Sequence, residues 1–207
     1  MSLQIRWLGK VEYNEALALQ EEAVARKTAG LDDDFLLLLE HPPVYTIGRT
    51  PDQTSLRDAA ALPHPVVRIN RGGQATYHGP GQLVGYPILD LRRHGQDLHR
   101  YLRLLEQVLI LTLEKYGIRA ARREHLTGVW VGERKIASIG VGVRHWISMH
   151  GFALNVRGSL APFQQITPCG IAGVEMTNIE RETSLSPTVE NVGAEAAEIF
   201  RGQFFGQ

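Results

Sequence analysis

The chain has 207 residues, 43% apolar and 21% charged, which suits one soluble globular domain and excludes fibrous, disordered and membrane-spanning classes. Lys plus Arg and Asp plus Glu both number 22, so net charge gives no argument for a nucleic-acid partner. One cysteine excludes an internal disulfide and a cysteine-rich zinc site. The start, Met1 to Arg6, has neither a signal-peptide core nor transit-peptide character, and the longest apolar runs are too short to span a membrane. A reducing cytoplasm is the expected compartment.

After an alternating start, Asn14 is the expected N-cap of a helix running to about Lys27, with Gly30 as its stop. Asp32-Asp33-Asp34 reads as a polar turn into Phe35 to Leu39, five large apolar residues of a strand buried on both faces. His41-Pro42-Pro43 breaks it and Val44 to Ile47 begins another strand. Residues 50–64 read as loop with one short helical turn, and Val66 to Ile69 as a further strand. Asp97 caps the most regular helix: Leu98, Tyr101, Leu102, Leu105, Val108, Leu109, Thr112, Leu113 and Tyr116 recur at helical spacing, and Gly117 stops it. Val129 to Val131 and Lys135 to Ile139 read as a hairpin, with Gly140 to Arg144 leading round to a long strand from Trp146 to Val156. Phe163 to Gly170 is loop-like, and Thr188 caps a last helix. Strand-rich stretches with three amphipathic helices imply an α+β domain, a sheet with helices mainly on one side.

Arg71-Gly72-Gly73-Gln74-Ala75-Thr76-Tyr77-His78-Gly79-Pro80-Gly81-Gln82 breaks this pattern. Four glycines and a proline in twelve residues are not expected to form a core strand. Leu83 to Leu91 turns apolar at once. A glycine-rich polar loop set against a buried segment lets backbone approach a ligand closely.

Cys169 lies between Pro168 and Gly170 in a segment too polar for core. An ordinary thiol, with pKa about 8.5, is only a few per cent ionised at neutral pH. A nearby cation would favour the thiolate. Lys135, opening a strand whose next residues are apolar, is one candidate; His41, His78 and His150 offer the commoner Cys-His arrangement. A zinc site from these histidines and Cys169 lacks any recognised ligand spacing.

His41 to Arg49, the 71–82 loop with its sequel to Leu91, Lys135-Ile136-Ala137-Ser138-Ile139-Gly140, His150 to Val156 and Pro168-Cys169-Gly170 together resemble the lipoyl(octanoyl) transferases. The likeness runs in the same order from about residue 41 to 180. It implies one catalytic domain over residues 1–207, a mixed β-sheet backed by helices similar to the biotin and lipoate protein ligases. It implies transfer of octanoyl from acyl carrier protein, through a cysteine thioester, to a lysine of lipoyl domains. The acceptors so implied are the E2 subunits of 2-oxoacid dehydrogenases and the glycine cleavage H protein, with no cofactor, nucleic acid or membrane. Cys169 matches the family's nucleophile and Lys135 the lysine that tunes it. Arg71, Gly72, Gly73, Gln74, Ala75, Thr76, Tyr77 and His78, then Ser138, Ile139 and Gly140, then Gly151, Phe152 and Ala153, match its acyl-binding segments.

The chemistry of the residue types agrees. Thioester exchange onto a thiol is nearly thermoneutral, and passing the acyl group to an amine runs downhill without ATP. Glycine-rich backbone N–H groups can hold an oxyanion, and glycines 72, 73, 140 and 151 would keep an apolar slot open. Arg92, Arg93, His94, Arg100 and Arg103 form the expected docking patch for an acidic carrier, with Arg49, Arg122, Arg123 and Arg144 as alternatives. Three other readings compete: an ATP-dependent ligase on the same fold, a silent acyl- or carrier-binding module, and a thiol hydrolase.

Overall fold

The computed structural model describes residues 2–30 and 33–206. Strand β1 (Leu3–Lys10) leads into helix α1 (Tyr13–Thr28), followed by strands β2 (Asp34–Glu40), β3 (Val44–Ile47), β4 (Val66–Arg68), β5 (Thr76–His78) and β6 (Gln82–Ile88). Helix α2 (Leu98–Glu114) comes next, then β7 (Ala121–Arg123), β8 (Leu126–Val131), β9 (Arg134–Arg144) and β10 (Ile147–Asn155). The two-residue β11 (Glu175–Met176), the short α3 (Ile179–Thr183) and α4 (Val189–Phe205) complete the chain.

Strand alternation sorts the side chains onto two faces of one eight-stranded mixed sheet, ordered β1-β2-β6-β10-β9-β8-β7 with β11 also paired to β9. On β2, Leu36 and Leu38 join the core under α2 and α4, while Phe35, Leu37 and Leu39 join the core under α1. Phe152 and Leu154 of β10 likewise point to the first face and Ala153 to the second. The run Phe35 to Leu39 is therefore buried on both sides, as its composition requires. Burying each such side chain stabilises the fold by about 1.5–3 kcal/mol. Helices α2, α3 and α4 pack on the first face and α1 on the second, so the expected placement mainly on one side holds with α1 as the exception.

Caps explain most boundaries. Asp97 accepts from the Arg100 N–H at 3.0 Å and Thr188 from Asn191 at 3.2 Å. Helix α1 begins one residue before the expected cap: Glu12 occupies the N-cap position with no side-chain bond, and Asn14 lies inside the first turn. Of the expected acidic turn, Asp32 lies outside the described residues, and Asp34 already belongs to β2. Residues 50–64 hold two 3-10 turns, at Thr54–Leu56 and Ala59–Ala61.

Three segments differ from expectation. Thr76 to His78 forms a buried strand inside the glycine-rich stretch, because pairing with β3 (Tyr45 opposite Tyr77) supplies the ladder that its composition does not suggest. That strand, β3 and β4 make a separate three-stranded sheet in the order β4-β3-β5. Gly140 to Arg144 continues β9 rather than leading away from it. The turn falls at His145 and Trp146, both with positive φ (52° and 63°), a two-residue hairpin turn achieved without glycine. Helix α3, capped by Asn178 onto the Arg181 N–H, was not expected.

Candidate active site

The cysteine is presented by a short 3-10 turn, Pro168–Gly170. Cys169 sits in the left-handed region (φ 56°, ψ 18°), a conformation that costs a non-glycine residue about 1–2 kcal/mol. Its backbone N–H donates to the Ala75 carbonyl at 2.9 Å, which anchors the turn on the residue just before β5. The side chain is left half-buried, facing β9.

Lys135 comes to meet it from the second position of β9. Its side chain is only 1% exposed, because Gly128 has no Cβ to block the stem: a Cβ there would lie 2.7 Å from Lys135 Cε. The ammonium donates to the Thr127 carbonyl at 3.1 Å and to Cys169 Sγ at 3.1 Å, with the Trp130 ring 5.3 Å away. Ser138 Oγ lies 3.8 Å from the same sulfur. The buried lysine head group is thus held by one carbonyl and one sulfur. Arg71, also buried, brings a guanidinium charge that interacts with Cys169, and burial lowers that guanidinium's own pKa.

A cleft of about 400 Å³ opens beside the sulfur. Arg71, Gly72, Gly73, Gln74, Thr76, His78, Ser138, Ile139, Gly140, Gly151, Phe152 and Ala153 all line it, together with Cys169 and Lys135. Ala75 and Tyr77 do not. Strand alternation in β5 turns Tyr77 into the small core with Tyr45 and Phe163, and Ala75 contributes only its carbonyl to the cysteine turn. Tyr13, Val84, Tyr86, Leu98, Leu102, His125, Leu126, Thr127, Val141 and Ile171 also line it, none of them singled out as a site residue from sequence. Only Thr127 had a signal, the glycine that follows it inside a strand.

The glycines do less for the cleft than their number suggests. A Cβ on Gly151 would meet the Gly85 carbonyl oxygen, and one on Gly140 would lie 2.8 Å from Arg71 Cδ. These two make room for protein atoms, not for a ligand. Around Gly72 the nearest atom would be 3.7 Å from such a Cβ, and at Gly73 (φ +86°) Arg71 Nη1 would be 3.4 Å away.

None of the three candidate histidines hydrogen-bonds the sulfur. His41 Nδ1–H donates to the Val11 carbonyl at 2.7 Å, which leaves Nε2 to accept from the Tyr86 hydroxyl at 2.8 Å. His78 Nδ1–H donates to Gln82 Oε1 at 2.8 Å, and its Nε2 faces Thr46 Oγ1 at 3.4 Å. Burial pushes their pKa values down to about 4 for His41 and about 3 for His78. His150, in β10 with φ 57°, is pushed down to about 4 by burial and then by Arg71 and Arg49, against an opposing contribution from the Asn70 backbone. His78 instead belongs to a directed chain. Arg71 Nη2 donates to Thr46 Oγ1, Gln82 Nε2 to Asn155 Oδ1, Asn155 Nδ2 to the Thr177 carbonyl, and the Thr177 N–H to the Lys135 carbonyl. The glycine-rich loop and the lysine strand are thereby fixed to each other.

The expected basic patch is partly paired, one carboxylate to two arginines at each of two points. Asp90 grips Arg92 through both carboxylate oxygens and lies 3.6 Å from Arg93; Glu106 holds Arg103 and Arg122, and Arg123 pairs with Glu133. Arg49, Arg100 and Arg144 have no ion pair among the described residues.

Residues 12–201 match the family described as the lipoyl protein ligase A/B catalytic domain. The octanoyltransferase of Geobacter sulfurreducens is 54% identical over 195 residues, covering 94% of this chain and 82% of that one. That of Geotalea uraniireducens is 50% identical, covering 94% of this chain and 90% of that one. Among solved structures, a bipartite lipoate protein ligase from Thermoplasma acidophilum superposes with a TM-score of 0.73 at 18% identity, over 98% of this chain and 84% of that one. Biotin protein ligase from Aquifex aeolicus gives 0.57 at 13% identity, over 98% and 69%. The fold is thus shared with the ligases, while the sequence is that of the transferases: the chain belongs to the octanoyltransferase family, built on the lipoyl protein ligase A/B catalytic domain, and is an acyltransferase that moves octanoyl groups onto protein substrates in lipoylation.

Proposed function

We propose that octanoyl transfer proceeds through a thioester on Cys169, with Lys135 as the proton carrier, from acyl carrier protein to a lysine of a lipoyl domain. The observation that carries this is the 3.1 Å contact between Lys135 Nζ and Cys169 Sγ at the wall of the cleft. The Cys169 thiolate attacks the donor thioester carbonyl; the new C–S bond forms and the donor's C–S bond breaks. The departing donor thiolate takes a proton from the Lys135 ammonium, which becomes neutral. A lysine amine then attacks the acyl-cysteine, the amide forms, Cys169 leaves as thiolate, and neutral Lys135 takes the amine's proton. Each half-reaction ends with the dyad ready for the other.

The loop N–H groups of Gly73 and Gln74, next to the cysteine turn, have no hydrogen-bond partner among the described residues and are the donors proposed for the oxyanion. Gly72 N–H, by contrast, is taken by the Val141 carbonyl at 2.9 Å. The acceptors proposed are the lipoyl domains of 2-oxoacid dehydrogenase E2 subunits and the glycine cleavage H protein, met in the cytoplasm. No described helix is long and apolar enough to cross a membrane. Neither ATP nor another cofactor enters this scheme. Intact-mass spectrometry after mixing with octanoyl-acyl carrier protein should show one octanoyl adduct on the wild type and none on Cys169→Ala. An adduct that persists in the alanine variant, or transfer that requires ATP, would refute the scheme.

A further inference from the structure

Glu106 is a carboxylate in the middle of the apolar stripe of α2, and it is 1% exposed. A buried charge survives only if every lone pair is used. Oε2 accepts from Arg103 Nη1 at 2.7 Å and Arg122 Nε at 3.1 Å. Oε1 accepts from the Gly128 backbone N–H at 3.1 Å. That N–H belongs to the same peptide group as the Thr127 carbonyl, and the Thr127 carbonyl is the oxygen that accepts from Lys135 Nζ at 3.1 Å. Carboxylate, peptide, ammonium and sulfur therefore form one line: Glu106, the 127–128 peptide, Lys135, Cys169.

We propose that Glu106 is a positioning residue for the dyad, acting through the Thr127–Gly128 peptide to hold the Lys135 ammonium on Cys169. Accepting at one end of a peptide group orients and polarises the other end, so the carboxylate makes the Thr127 oxygen a better and better-placed acceptor. Gly128 is required there twice, for its φ of +126° and because a Cβ would collide with the Ala137 carbonyl and the lysine stem. The inference rests on the reading of Cys169 and Lys135 as the reacting pair. The other polar or charged groups facing that pair are Arg71 from the loop, Ser138 and the Trp130 ring from the sheet, and Arg103 with Arg122 behind Glu106.

Two near-isosteres separate this role from a structural one. Glu106→Gln keeps an oxygen at the right reach for Gly128 N–H and loses the charge; Glu106→Asp keeps the charge between the arginines and withdraws the oxygen by one methylene. The readout is the rate of Cys169 alkylation by iodoacetamide from pH 5.5 to 9, with kcat and KM for octanoyl transfer alongside. Glu106→Asp should slow alkylation at pH 7 by about ten-fold, the worth of one lost charge-assisted hydrogen bond, and move the profile's midpoint to higher pH. It should lower kcat by a similar factor with KM within about two-fold, and Glu106→Gln, which keeps the hydrogen bond without its charge assistance, should fall between the aspartate variant and wild type. In a Lys135→Ala background, Glu106→Asp should add less than about two-fold. An aspartate variant as reactive as wild type, a glutamine variant worse than the aspartate, or additivity with Lys135→Ala would each overturn the proposal. Alkylation that ignores Lys135→Ala altogether would overturn the dyad itself, a separate failure.

Discussion

The cleft has two polar regions that differ in composition and in behaviour. One holds Cys169, Lys135 and Ser138; the other holds His78 and His150 with Tyr13 and Tyr86, and His41 packs behind it against Tyr13 and His78. Lys135 and the three histidines are all buried, yet the lysine's neighbours are a carbonyl and a sulfur, whereas the histidines lie beside hydroxyls, amides and the Arg71 cation. Their imidazoles are driven neutral, to about 3 to 4, and His41 and His78 are saturated by hydrogen bonds that fix their tautomers. Residue type alone would give the base role to a histidine. The surroundings support the lysine proposed above instead.

The contrast can be broken most directly at Lys135. Lys135→Ala should slow acyl-enzyme formation by about 10²–10⁴-fold, measured by single-turnover mass spectrometry. Lys135→Arg should not restore it, because a guanidinium always stays charged and cannot cycle a proton. Near-normal transfer by the arginine variant would reduce the lysine to a fixed charge. At His78, replacement by glutamine should leave transfer within about ten-fold of wild type while lowering the melting temperature, since the residue is a link in the chain to Asn155 and not a partner of the sulfur. A loss as large as that of Lys135→Ala would erase the distinction between the two regions.

Between the regions lies Gly151. Gly151→Ala should destabilise folding by about 1–3 kcal/mol by overpacking against Gly85 and Pro87, whereas Gly72→Ala should cost little stability, as denaturant midpoints would show. The smallest effect is the pH response of the histidine region. Its folded-state pKa values lie below the ordinary value of about 6.5. The unfolded chain therefore binds protons first, so stability is full above about pH 6.5 and falls as pH drops towards 4. Each histidine held neutral should weaken the fold at pH 5 by about 1–2 kcal/mol relative to pH 7.5, and His41→Gln should flatten that slope. An unchanged slope in the variant would mean that His41 is not held neutral.

Much of this was legible from residues. The five-residue apolar run of β2, the capped stripe of α2, and the setting of Cys169 between proline and glycine each point to a local cause that the fold preserves. Glu106 stands inside the stripe of α2, and only the three-dimensional meeting with Gly128 gives that charge a meaning. The strand at Thr76 to His78 depends on β3 as a partner, and local composition cannot show a partner 30 residues away. The hairpin turn at His145 and Trp146 lacks the glycine that usually marks such a turn. For Gly140 and Gly151 the residue type was informative but its beneficiary was not: the space they leave is filled by Arg71 and by β6.

The solitary sulfur has a further consequence, in redox terms. Cys169 is the one thiol in these 207 residues, half-buried on the wall of the cleft. If peroxide converts it to a sulfenic acid, no second cysteine stands by to resolve it as a disulfide within the chain. Rescue must come from a small external thiol passing through the same opening as the substrate, and a second oxidation to sulfinic acid ends turnover for good. Glutathione should restore the enzyme after a brief peroxide exposure and fail after a long one, and intact mass would count the oxygens. An octanoyl group parked on the sulfur would shield it, so an enzyme supplied with donor should outlast an idle one.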